Sequence, residues 1–227
     1  WLNEALSHIA EEVVGRAKRG FSDTQRLTYA DVNPTPTGST DDYNAFFRQN
    51  LLRYRSWMQR PDTSSPTSNQ AGRQLAPRGA AWMLLLYASD YHSGGNMKTF
   101  LRKVVGGPDI GLRNLLQHTN AQFDDLLSGW LISQFMDGLN VAGLPARYQM
   151  QSWAVRDAMS GANNNVFPLL VTQLLPATVD TKSISGSGNY FRLTRLGASP
   201  ETTFRMQSPA GGSVSFAGAR VYVVRIN

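Results

Sequence analysis

Residues 80–88, AAWMLLLYA, carry no charged side chain and present apolar groups around nearly the whole circumference of any helix built from them. A helix apolar along one stripe belongs at a surface, whereas one apolar on every side has to be enclosed by other elements. The run is about half the ~18 residues that a membrane span requires, so it reads as a buried helix at the centre of a helical core, with Pro77 suited to its first turn. The rest of the chain must then supply amphipathic elements to wrap it. With 227 residues, 41% of them hydrophobic and 17% charged, it has enough material for that core.

Those elements are legible from their spacing. Leu2, Leu6, Ile9 and Val13 recur at intervals of four, three and four, the stripe of an amphipathic helix that Gly15 or Gly20 can end. Ser39 with Asp42 gives an acidic variant of a capping box, followed by a second stripe through Tyr43, Phe46, Phe47, Leu51, Tyr54 and Trp57. Arg60 to Ala76, rich in Pro, Ser, Thr, Gln and Asn, is expected to be a long exposed loop. Asn96 and Asp109 are candidate N-caps of two short helices, and Phe123 to Phe135 marks another helix, ended by Gly138. Beyond about Ser160 the texture changes to short runs rich in β-branched and aromatic residues, 190–196, 202–207 and 219–226, punctuated by Gly and Pro. The expected fold class is therefore α+β, with a helical domain over 1–160 followed by a small antiparallel β module over 161–227.

Composition removes several chemistries. There is no cysteine, which excludes disulfides, thiolate nucleophiles and Cys-based metal sites, and the three histidines, His8, His92 and His118, are far apart in sequence. No G-x-S-x-G, P-loop or G-x-G-x-x-G is present. The net charge of +6 is concentrated late: from residue 182 onward six cations face Glu201 alone. That end of the molecule favours anionic partners, although no nucleic-acid motif accompanies it and the ordinary reading is a solvated face.

The informative segment is WLNEALSHIAEE at residues 1–12. It resembles the second zinc-binding helix of the gluzincins, in which an Asn-Glu pair brings a carboxylate to zinc held by the two histidines of an HExxH helix. Together with GAAWMLLLYASDYHSGG (79–95) and FDDLLSGWLISQF (123–135) it is similar to hyicolysin-type bacterial metallopeptidases over roughly Trp1 to Trp153. The resemblance implies that Glu4 is the third zinc ligand and that His8, one turn on, holds the position of a polar residue that orients the ligand, an aspartate in thermolysin-like relatives. It also draws attention to Tyr91 and His92, since a Tyr or His of this half often steadies the tetrahedral intermediate. For His92 and His118 the plainer reading is a helix-end histidine bonded to free carbonyls.

The departure is that these residues contain no HExxH, and with it go the general base and two metal ligands. No catalytic residue is assigned. The resemblance implies either the C-terminal portion of a secreted or periplasmic zinc metallopeptidase, with the HExxH segment upstream of Trp1, or a non-catalytic accessory subunit. The latter would dock onto a larger periplasmic or membrane-associated assembly. Zinc is expected only with the upstream segment, and in either case Trp1, Leu2 and one flank of the first helix should be covered by the missing half or by a partner protein. Without the upstream half, a face of Glu4, His8 and Glu11 or Glu12 is expected to be an ordinary charged helix face in water.

Overall fold

The computed structural model describes residues 1–33, 40–69, 74–174, 181, 183–194 and 220–225. Among these lie eight α-helices and one pair of short strands: α1 (Leu2–Lys18), α2 (Tyr29–Val32), α3 (Arg48–Met58), α4 (Leu75–His92), α5 (Met97–Gly106), α6 (Gly111–Thr119), α7 (Phe123–Met136), α8 (Val155–Gly161), β1 (Thr172–Leu174) and β2 (Phe191–Leu193). A π-turn, Tyr43–Phe47, leads into α3. The helical body expected up to about Ser160 is observed.

The apolar run lies where its sequence demands. Every residue from Ala80 to Ala88 is buried, and α1, α3 and α7 surround α4. Four tryptophans, each at most 1% exposed, fill the space between the helices: Trp57 lies 4.7 Å from Trp130 and Trp82 lies 5.9 Å from Trp153, ring centre to ring centre. Close helix approach depends on two glycines. A Cβ at Gly79 would sit 2.3 Å from the Tyr54 backbone nitrogen, and one at Gly15 would sit 2.6 Å from the Cβ of Phe46. Gly15 is therefore an internal contact of α1 and does not end it; the helix runs on to Lys18, and Gly20 follows with φ +73°.

Other expectations are corrected. Ser39 lies outside the described residues, and Asp42 pairs with Lys18 at 2.7 Å, while a full capping box forms instead at Thr28 and Asp31. Asn96 caps α5 through the Thr99 N–H, but the cap position of α6 is Ile110, and the Asp109 side chain turns to Arg113. The connection before α4 is not uniformly exposed. Ser64 and Ser65 are buried, because Trp57 Nε1 donates to the Ser64 carbonyl while Ile184 and Gly188 donate to the carbonyls of Asp62 and Pro61. Polar composition signalled a loop there but not the later chain segment that lies over it.

The expected antiparallel module is also corrected: β1 and β2 pair in parallel, with Thr172 opposite Phe191 and Leu174 opposite Leu193. A parallel pair cannot be closed by a tight hairpin, and here the chain between the strands travels back to the α3–α4 connection before re-entering alongside β1. Of the other expected strands, 202–207 lies outside the described residues, and residues 220–225 form no ladder among them. The segment is tied to the helices by Leu170 N–H to the Met58 carbonyl, by Tyr190 hydroxyl to the Leu131 carbonyl, and by Arg220 to Asp125 at 2.6 Å.

Candidate functional site

α1 carries three acidic residues, Glu4, Glu11 and Glu12, with His8 one turn after the first and one turn before the other two. Glu4 stands in the first turn, where the helix dipole favours a negative charge, and Arg16 and Lys18 stand in the last, where it favours positive ones. The buried stripe runs through Leu2, Ala5, His8, Ile9, Glu12, Gly15 and Arg16. It therefore includes three polar side chains, contrary to the expectation of a charged face in water. Leu2, expected to be open to a partner, is only 4% exposed and belongs to the core, with Trp1 packed against it.

His8 is held from several sides. Its carbonyl accepts from Asn50 Nδ2 at 3.1 Å, and its Nδ1 lies 3.3 Å from Arg53 Nη1 and 3.5 Å from Glu11 Oε2. Arg53 has only N–H groups to offer and Glu11 Oε2 only accepts, so the two compete for Nδ1 and neither reaches Nε2. That nitrogen is buried and has no hydrogen-bond partner among the described residues; its nearest acid is Glu4 Oε2, at 3.8 Å. Burial first, and the Arg53 charge second, pull the His8 pKa below its ordinary 6.5 against the opposing pull of Glu11 and Glu4. The Glu4 side chain is 35% exposed and lies 3.6 Å from Arg78.

Taken by themselves these residues do not fit a zinc ion. Zinc catalysis takes three protein ligands and one open position, and among the described residues no group of three His, Asp or Glu side chains converges anywhere. The face offers one carboxylate and one imidazole, with the guanidinium groups of Arg53 and Arg78 beside them, and cations oppose a further cation. A weak metal site built from Glu4, His8 and Glu12 is also excluded, because Glu12 is committed elsewhere.

The Glu12 centre is the constellation that the sequence reading missed. Its side chain is fully buried; Oε1 accepts from Arg16 Nε at 2.7 Å and from Trp153 Nε1 at 2.9 Å, and Oε2 accepts from Trp82 Nε1 at 3.0 Å. Arg16 in turn donates to the carbonyls of Gln25 and Ser152, both at 2.8 Å. A buried charge is tolerated only when paired and hydrogen-bonded, and here both members are. The available signal was a Glu and an Arg four residues apart on the same stripe as Ile9, which a surface helix would not place there.

A second carboxylate, Asp90 near the end of α4, accepts from the N–H groups of Gln151 and Ser152 and from the Ser152 hydroxyl. Burial pushes its pKa up to about 6 despite those bonds. Tyr91 and His92 are similarly occupied: the Tyr91 hydroxyl is shared between the carbonyls of Ala146 and Gln149, and His92 hydrogen-bonds the backbone of Thr119. His92 thus behaves as the helix-end histidine of the plainer reading, whereas His118 Nε2 is buried without a partner among the described residues.

Compared with models of protein families, with curated proteins and with solved structures, the chain matches none.

Proposed function

We propose that these 227 residues are the C-terminal portion of a zinc-metallopeptidase-like protein, non-catalytic by themselves. In this reading α1 is the helix that offers Glu4 as third ligand to a zinc bound by an HExxH segment lying outside them. The observation that carries the reading is the outer end of α1: a part-exposed carboxylate, and one turn on a buried imidazole whose Nε2 has no partner and lies 3.8 Å from it. Buried polar atoms are rarely left unsatisfied, so an orphaned ring nitrogen beside a reachable carboxylate suits a helix whose outer face is completed by something else. Second-side partners of this kind fix a ligand's orientation and basicity. The expected setting is secreted or periplasmic, as in the enzymes that the motif resembles.

The Arg78–Glu4 pair favours a second reading. If the arginine neutralises that carboxylate permanently, the chain is a non-enzymatic accessory or structural subunit with a peptidase-like fold. It would dock onto a larger periplasmic or membrane-associated assembly, and the cations of the C-terminal segment would face an anionic surface of that assembly.

Metal analysis of the protein purified from its native source distinguishes the two. The first reading expects stoichiometric zinc, lost on Glu4→Gln together with peptide cleavage; zinc-free protein, or zinc indifferent to that substitution, supports the accessory role. The 227-residue chain alone is expected to hold no stoichiometric zinc and to cleave no peptide. Micromolar zinc affinity abolished by Glu4→Ala in that chain would overturn the requirement for an outside segment.

A further inference from the structure

α5 buries Met97, Phe100 and Val104 against the core, which leaves its remaining positions to face outward. At the corner where it meets α6 those outward positions are unusual. Val105 is 68% exposed and Ile110 is 87% exposed, so both side chains stand clear of the surface, and Pro108 between them is exposed as well. The backbone between them turns through Gly106 and Gly107, so the two aliphatic side chains project from one short bend.

Cations flank this bend. Arg102 and Lys103, on the last turns of α5, are exposed and form no ion pair among the described residues. Arg113, on the first turns of α6, has an 83% exposed side chain and only a 3.5 Å contact with Asp109, the one acid in the corner. The corner thus combines isolated aliphatic tips with uncompensated positive charge. Single exposed aliphatic side chains are ordinary on a surface; here Val105, Pro108 and Ile110 fall within six residues and cations flank them.

We propose that the α5–α6 corner docks on an anionic phospholipid surface, with Val105, Pro108 and Ile110 entering the headgroup layer and Arg102, Lys103 and Arg113 meeting lipid phosphates. Peripheral attachment of this kind joins a small apolar insertion to electrostatic attraction, and neither part suffices alone. The chemistry favours lipid over protein, because the apolar tip is aliphatic and stands beside a lysine, a residue depleted at protein interfaces, while the part-buried Trp1 indole lies against Gly111 next to that tip, an amphipathic ring of the kind found at headgroup level. Among the described residues no helix is long and apolar enough to cross a membrane, so the attachment is to the surface. The proposal is independent of the zinc-ligand reading of Glu4.

The test is co-sedimentation of the full 227-residue chain with vesicles of phosphatidylcholine and phosphatidylserine, and with vesicles of phosphatidylcholine alone. Binding is expected only to the mixed vesicles, and it should weaken with salt. An Arg102→Gln/Lys103→Gln double variant should bind about 30-fold more weakly, from roughly a fivefold loss per cation removed at a charged bilayer. Ile110→Asp should also reduce binding without lowering the Tm, because the side chain is exposed and stands at the N-cap position of α6, where Asp is favoured. Absence of binding to mixed vesicles would overturn the proposal, as would binding that Ile110→Asp leaves intact. Binding insensitive to both variants but lost when the cations of residues 220–225 are neutralised would assign the attraction to the C-terminal segment and overturn it equally. Capture of an acidic protein in place of vesicles would do the same.

Discussion

Glu4 and Glu12 lie two turns apart on α1 and end in opposite circumstances. Glu12 is enclosed, and its carboxylate accepts from two indoles and a guanidinium. Glu4 reaches solvent, faces Arg78 loosely, and stands beside a ring nitrogen that has no partner. The same residue type on the same helix is thus an internal anchor at one end and a part-exposed, loosely paired carboxylate at the other. What differs is satisfaction: Glu12 has donors on both oxygens, whereas the group around Glu4 leaves capacity unused. Charge count along the helix carries no such distinction.

The sharpest way to break this comparison is to remove each carboxylate in turn. Glu12→Ala leaves Arg16, Trp82 and Trp153 without their acceptor and is expected to cost about 3 to 5 kcal/mol in urea denaturation, as for other broken buried pairs. Glu4→Ala is expected to cost less than about 1 kcal/mol, the range of exposed ion pairs. Equal losses would mean that Glu4 is as structural as Glu12.

Packing gives a second contrast, one step smaller. Leu85→Ala at the centre of α4 should cost roughly 2 to 5 kcal/mol through lost transfer energy and a cavity, while Val14→Ala on the exposed side of α1 should stay within about 0.5 kcal/mol. A large effect at Val14 would show that the outer face of α1 is covered in solution.

The smallest expected effects lie in pH dependence, where His8 and Asp90 act in opposite senses. Asp90 keeps its proton to a higher pH when folded than the ordinary carboxylate value of 3.8 allows, so its contribution to stability falls as pH rises from 3.8 to about 6. The His8 pKa is depressed on folding, so its contribution is complete above 6.5 and is lost as pH falls through the folded value. Asp90→Asn keeps an oxygen for the Gln151 and Ser152 donors; it should flatten the fall, by on the order of 1 to 2 kcal/mol between the ends of that window. His8→Gln should flatten the acid-side loss. Thermal melts of the three proteins across pH 3 to 8 check both signs, and parallel curves would remove both groups as determinants.

The sequence made the helical body legible because its signals are local and strong: an all-round apolar run, stripes at helical spacing, and a glycine after α7. Strand direction was not legible. Short β-rich runs separated by glycine suggest hairpins, and nothing in 161–190 announces that the intervening chain travels back to Pro61 and Asp62 before pairing. At the candidate site the resemblance singled out Glu4 and His8, but periodicity read Glu11 and Glu12 as interchangeable surface acids. Their difference depends on Trp82 and Trp153, which no local pattern links to α1. Gly15 was misread for a similar reason, since a helix stop and a close-contact glycine look alike until Phe46 and Phe47 are seen against it.

The long reach of the Glu12 centre has a consequence for how the chain is made. Its indole donors arrive 70 and 141 positions later, at Trp82 and Trp153, and Arg16 closes onto Ser152, so α1 is synthesised well before the residues that lock it. At ribosomal rates of about 5 to 20 residues per second, roughly 7 to 28 s separate the emergence of Glu12 from that of its final partner. Through that interval the carboxylate stays hydrated, and the stripe it belongs to has no complete cover. High contact order of this kind slows folding and lengthens exposure to aggregation. A nascent chain stalled before Trp153 should therefore present α1 to whatever factor shields apolar surface at the ribosome exit.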